Sequence, residues 1–245
     1  MDDAAMDDAA MDDQLSAGTA SADPLPGDAE AETLNATAEQ AAELSPEQQD
    51  RRRRLIDAAF ELGAEGGYEA VQMRSVSETA NVAMATIYRY FSSKDHLLAA
   101  AMTEWTGRLR GRVAQSPPRG ATPADQMVDV LQRACRAMER QPKLAEALVR
   151  ALSSADIGVR ESGVGVSRHI AEMGNGILVD LRPEVRADIL AVLGHVWYSA
   201  LVSWANGRRD FASVMTELER ASRVLIEPYE RELRTGRKNG KNGKK

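Results

Sequence analysis

Between Met73 and Leu98 the chain reads MRSVSETANVAMATIYRYFSSKDHLL, which sets Arg74, Thr86, Tyr88, Arg89, Tyr90 and Lys94 close together. Guanidinium, ammonium and hydroxyl groups at that density donate hydrogen bonds to phosphate oxygens, and arginine also reads base edges. Bond-breaking chemistry has no comparable support. His96, His169 and His195 lack metal-ligand spacing, and neither a glycine-rich phosphate loop nor a nucleophile motif occurs. The chain is expected to recognise a polyanion, to be no enzyme and to need no cofactor.

Helices must position these groups. The pattern predicts one helix over about 74–80, a turn at Asn81, which tolerates the left-handed region, and another helix over 84–90. At 100° per residue Ile87 and Phe91 share a direction and face a small core. Opposite them stands Arg89, flanked by Ala85 and Thr86, with Tyr88 and Tyr90 at the margins. Small residues let such a helix settle into a major groove about 12 Å wide while the long basic side chain reaches the bases. Val76, Ala80 and Val82 pack the turn. Lys94 begins a fourth helix, where its charge opposes the macrodipole, a placement that favours a phosphate contact. Arg51–Arg54, just upstream, are expected on phosphates too. Together this is a helix-turn-helix pattern for double-stranded DNA.

Gln72, Arg74, Val76, Ala80, Asn81, Val82, Thr86, Ile87, Tyr88, Tyr90, Phe91, Lys94 and Leu97 reproduce the signature of TetR-type transcriptional regulators. The stretch from about 51 to 98 resembles that family. The resemblance implies DNA contacts at Arg74, Met84, Ala85, Thr86, Tyr88, Tyr90 and Lys94. Two departures stand out: Asn81 replaces the usual glycine, and Ala83 replaces the serine or threonine that caps the recognition helix, a loss of about 1 kcal/mol. Further along, QPKLAEALVRA and HVWYSALVSW resemble, in order, segments of sterol-catabolism repressors within the family. The implied protein is a ligand-responsive repressor of lipid or sterol catabolism genes. A small apolar effector, a steroid or an acyl-CoA thioester, would release it from a palindromic operator. The alternatives are a multidrug-efflux repressor or an architectural nucleoid-associated protein without effector.

Composition agrees with this reading once the charge is divided. The net charge of −6 over 245 residues hides an N-terminal segment, 1–50, with 14 acidic and no basic side chains. The rest holds 31 basic against 23 acidic residues, a net of +8, so the folded part is basic. The repeat MDDAA-MDDAA-MDD and its continuation to residue 44 predict a disordered acidic tail. The single cysteine, Cys135, suits a reducing cytoplasm and reads as a small buried side chain. No apolar run approaches a membrane span, and the acidic N-terminus is unlike a signal peptide.

The expected fold is all-α and TetR-like. A helix-turn-helix domain covers 45–112, an effector-binding and dimerisation domain 113–235, and a basic disordered tail 236–245. Ser45-Pro46-Glu47-Gln48 predicts a capping box opening the first helix, which Gly66-Gly67 ends. Helices follow over 123–141, from Pro142 through Leu152, over 183–206, and over about 211–233. Residues 156–181 predict a helix interrupted near Gly163–Gly165. A single helix-turn-helix reads too few base pairs, so a homodimer is expected, its interface on the last two helices. The candidate interface residues are Leu193, Val196, Ala200, Leu218 and Leu225, with Trp204 as anchor. The resemblance implies an effector pocket among the helices before them, with Met127, Leu131, Met138, Leu148, Leu152, Met173, Leu178 and Trp197 as candidate lining.

Overall fold

Ser45 caps the first helix. Its hydroxyl accepts the Gln48 N–H, the Gln48 side chain accepts the Ser45 N–H, and Pro46 takes the first helical position. This capping box satisfies two backbone donors that a helix start leaves open. The computed structural model describes residues 44–242, except the side chains at 233, 234 and 236–242. The acidic tail expected over 1–44 therefore lies, apart from Leu44, outside the described residues.

Every regular element among the described residues is helical: α1 (Pro46–Ala70), α2 (Met73–Thr79), α3 (Met84–Tyr90), α4 (Lys94–Gln115), α5 (Pro123–Glu139), α6 (Pro142–Ala151), α7 (Ile157–Ile177), α8 (Pro183–Ala205) and α9 (Phe211–Asn242). α1 breaks at Gly67, whose φ of 69° only glycine takes without strain. α2 and α3 pack with the start of α1 and with α4 around Val76, Ile87, Phe91 and Leu97, all fully buried. Two seams join this unit to the rest. α1 lies along α6, and α4 lies along α7. α8 and α9 pair with each other, and α9 covers α5. Glu230 of α9, buried, accepts the Ala124 N–H at 2.8 Å and so places a carboxylate at the positive end of α5.

Three expectations need correction. α7 runs unbroken through Gly163 and Gly165. Gly165 serves packing, since a methyl group there would stand 2.7 Å from Thr103 of α4, whereas Gly163 faces open space. α9 continues to Asn242 and not about 233, so the run expected as an unstructured basic tail is helical over 236–242. The expectation that no apolar run approaches a membrane span fails at α8. By length and by its mean hydropathy of 1.3 it could cross a membrane, yet only a third of that window is buried inside the protomer.

The α4–α7 seam carries two titrating groups. Thr106 Oγ1 lies 3.1 Å from His169 Nδ1, and His96 packs edge-on to Phe91 with centroids 5.4 Å apart. Burial pushes both imidazoles below their ordinary value. The sign follows. The unfolded chain takes up protons near pH 6.5 that the folded chain refuses until lower pH, so folding stability falls as pH drops through that window. The melting temperature should decline between pH 7.5 and 5.5, and His169→Gln should lessen the decline; a flat profile would show that neither ring is held neutral.

Candidate nucleic-acid interface

α3 is seven residues long and has two different sides. Ile87 is fully buried, as is Phe91 just beyond the helix, whereas Met84, Ala85, Tyr88 and Arg89 are exposed and Thr86 and Tyr90 half-buried. Tyr88 is 54% exposed, the side chain of a large aromatic left to solvent. The side carrying Ala85, Thr86 and Arg89 is thus available to a duplex, as the wheel requires. Asn81 takes φ 50° at the turn, and Ala83 leaves the helix start without a side-chain hydrogen bond. Ser77 of α2 braces the turn, its buried hydroxyl donating to the Val82 carbonyl at 2.6 Å. Arg74 projects from α2 with its side chain 84% exposed, in a surface ion pair with Glu78.

The remaining cations are more committed than their types suggest. Lys94 Nζ sits 3.8 Å from the Tyr68 ring centre, 3.4 Å from the Tyr68 carbonyl and 3.9 Å from Glu69. These partners offset the unfavourable dipole and leave part of the ammonium for an outside acceptor. Burial, then the hydrogen bond to Asp95, pushes the Tyr68 phenol up to about 12, so that ring stays a neutral platform. The four arginines at 51–54 divide. Arg54 donates to the Ala80 carbonyl at 3.1 Å, and Arg52 lies over the Phe91 ring at 5.5 Å. Both hold the helix-turn-helix together. Arg51 and Arg53 pair with Glu47 and Asp50 on their own helix. Phosphate contact by all four, expected from the charge run, is not what the geometry favours. The signal for Arg54 was its spacing of 26 residues from the turn, which sequence periodicity cannot register.

Behind the recognition unit, Asp156 joins two helix starts. Its carboxylate accepts from Gly158 N–H at 2.8 Å, capping α7. It also accepts from the Ser93 hydroxyl at 2.7 Å and from Ser92 at 3.0 Å, while Ser93 itself caps α4 by accepting the His96 N–H. The Ser93 hydrogen bond, foremost, holds Asp156 below the usual carboxylate range. Sequence reasoning missed this cluster because its members lie 63 residues apart.

α7 leads from there to a small enclosed cavity of about 20 Å³. Its walls are Met127, Val130 and Leu131 of α5, Ile170, Met173 and Gly174 of α7, and Leu190, Leu193, Gly194 and Trp197 of α8. Of the eight residues expected to line a pocket, Met127, Leu131, Met173 and Trp197 do so. Met138, Leu148 and Leu178 are fully buried elsewhere in the core, and Leu152 ends α6. Cys135 is buried too, and burial pushes its thiol up to about 12.

The residues expected to pair protomers differ in how much surface they offer a second copy. Leu193, Ala200 and Leu218 are buried within the protomer and have no surface left for a partner. Trp204 stacks edge-on against Phe211 at 5.0 Å, and Leu225 is half-buried. Along the open groove between α8 and α9 stand Val196, Ala212, Thr216, Ala221 and Val224, the last 67% exposed. Helical period located the apolar stripe; it could not tell the side facing α5 from the side facing out.

Comparison with known proteins agrees with this anatomy. Residues 55–101 match the family model for bacterial regulatory proteins of the tetR family, and 120–225 match the tetracyclin repressor-like C-terminal domain. The HTH-type transcriptional repressor KstR of Rhodococcus jostii is 38% identical over 180 residues, 73% of this chain and 84% of that protein. KstR of Mycobacterium tuberculosis is 37% identical, covering 76% and 85%. The crystal structure of a TetR transcriptional regulator from Rhodococcus sp. RHA1 superposes with a TM-score of 0.66 at 31% identity, covering 74% of this chain and 97% of that one. The exposed side of α3, the helical domain behind it and relatives of this identity over nearly their whole length lead to one conclusion: the chain belongs to the TetR family of helix-turn-helix transcriptional regulators.

Proposed function

We propose that this protein is a homodimeric cytoplasmic repressor of lipid or sterol catabolism genes, released from a palindromic operator when an apolar effector occupies the helical domain. Residues 45–112 bind DNA and 113–235 bind effector and partner. The observation that carries this reading is the physical continuity between the two ends of α7. Its C-terminal half walls the cavity, and its N-terminal cap is hydrogen-bonded to Ser92 and Ser93, directly after the recognition helix. The lipid or sterol pathway rests on the segments that resemble sterol-catabolism repressors. The identity to the KstR repressors extends well past the 47 residues of the DNA-binding match, hence through the effector domain.

In this mechanism Arg89, Ala85 and Thr86 face the groove. Arg74, Met84, Tyr88, Tyr90 and Lys94 fix the register on the backbone and its margins. The exposed valines of α8 and α9 meet a second copy, setting two recognition helices about one DNA turn apart. An effector that parts α5, α7 and α8 shifts α7 along α4 and strains the bonds at Asp156. Linkage requires operator and effector to weaken each other equally; about 1–3 kcal/mol of coupling changes operator affinity roughly 5–150-fold.

The defining experiment selects genomic fragments bound by the protein and then challenges the complex with a lipid library. Fragments beside lipid-degradation genes, released by an apolar compound, are expected; fragments without common sequence, unmoved by any lipid, would instead mark an architectural protein. Two substitutions separate the DNA contacts. Lys94→Ala should weaken all DNA and lower the log-log salt slope by about 1, whereas Arg89→Ala should relax preference at one position per half-site. An unchanged slope removes Lys94 from the phosphate contacts. Asp156→Ala should leave operator binding nearly intact but cut the effector's influence on it severalfold, read by titrating operator with and without the releasing lipid. Undiminished release would place the coupling elsewhere.

A further inference from the structure

One residue with a polar group stands among the otherwise apolar walls of the cavity between α5, α7 and α8. Trp197 is 5% exposed, and its indole N–H has no hydrogen-bond partner. An indole nitrogen only donates, so only an acceptor can satisfy it. Buried donors without partners are few in folded proteins, because each loses hydration with nothing in return. Water is a poor answer here. A volume of about 20 Å³ admits a single molecule, but a buried water needs 2–4 polar partners, and the other lining side chains are aliphatic, thioether or glycine.

We propose that Trp197 is the polar reader of the effector, its N–H donating to a neutral carbonyl oxygen, a ketone or thioester, on an apolar skeleton. The inference rests on the effector-responsive reading above and adds the chemistry that the site selects. A carboxylate fits badly, since no cation lines the cavity and an ionised group would be buried uncompensated. An alcohol can accept, but its own proton meets apolar side chains and helix carbonyls already bonded. A hydrocarbon leaves the indole unsatisfied. The cavity as it stands is far below the roughly 300 Å³ of a typical small-molecule site, so binding must part its walls. Met127 and Met173 can refit, and Gly194 leaves open space in front of α8.

The test uses the full-length protein and three probes of one skeleton, androstane, androstanone and androstanol, with affinities measured by calorimetry. Wild type should bind the ketone at least about tenfold more tightly than the hydrocarbon, with the alcohol between them. Trp197→Phe, which keeps an aromatic ring and removes the donor, should erase that gap while hydrocarbon affinity stays within about twofold. A gap that survives in Trp197→Phe, or none in wild type, overturns the assignment. In nitrogen-labelled wild type the Trp197 indole proton should move downfield with the ketone and not with the hydrocarbon, a readout independent of how the variant folds. If all three bind equally and release operator, only the role of Trp197 falls. If none binds or releases operator, the effector-responsive reading falls with it.

Discussion

A single carboxylate, that of Asp156, serves two helix N-termini at once. A helix start presents unsatisfied N–H groups and a partial positive charge, and an anion is the natural complement. Asp156 answers this need for α7 directly and for α4 through Ser93, the residue that caps α4. The α4 start follows the recognition helix within a few residues, so Asp156 ties the beginning of α7 to the segment next to α3. Phe91, buried between Arg52 and His96, locks that corner from the other side.

The rest of the α4–α7 seam turns this corner into a lever. α7 is a poor helix by composition, with five glycines in 21 residues, each costing about 1 kcal/mol relative to alanine. Three of those glycines, Gly158, Gly165 and Gly174, permit close approach of neighbouring elements. A methyl on Gly158 would stand 2.4 Å from His96, and the Thr103 hydroxyl donates across the seam to the Ser162 carbonyl at 2.9 Å. An element held by neighbours more than by its own propensity shifts as a body when those neighbours shift. Roughly 25 Å of helix separates its cap at Asp156 from Met173 in the cavity wall.

Local signals were legible in the sequence and relational ones were not. Ser45 with Gln48, Pro123, Pro142 and Pro183 marked helix starts because capping and proline chemistry act within one turn. The bounds of α3 and the burial of Ile87 and Phe91 followed from period alone. Gly163 and Gly165 misled, since glycine looks the same whether it ends a helix or admits a neighbour. Leu193 was expected on a dimer face and instead walls the cavity, because α8 is apolar on nearly every side and its register against α5 is a tertiary fact. Arg52, Arg54 and Lys94 illustrate the same limit for charge. A cation's type declares what it can bind, and only packing decides whether a ring, a carbonyl or a phosphate takes it.

The buried thiol of Cys135 has a consequence for signalling. The reactive form of cysteine is the thiolate, and a group held near 12 inside the α5 core is almost never ionised at neutral pH. With no second cysteine in the chain, an oxidant finds neither a nucleophile to modify nor a resolving partner within the protomer. Cysteine chemistry thus gives the helical domain no ready response to the redox state of its surroundings.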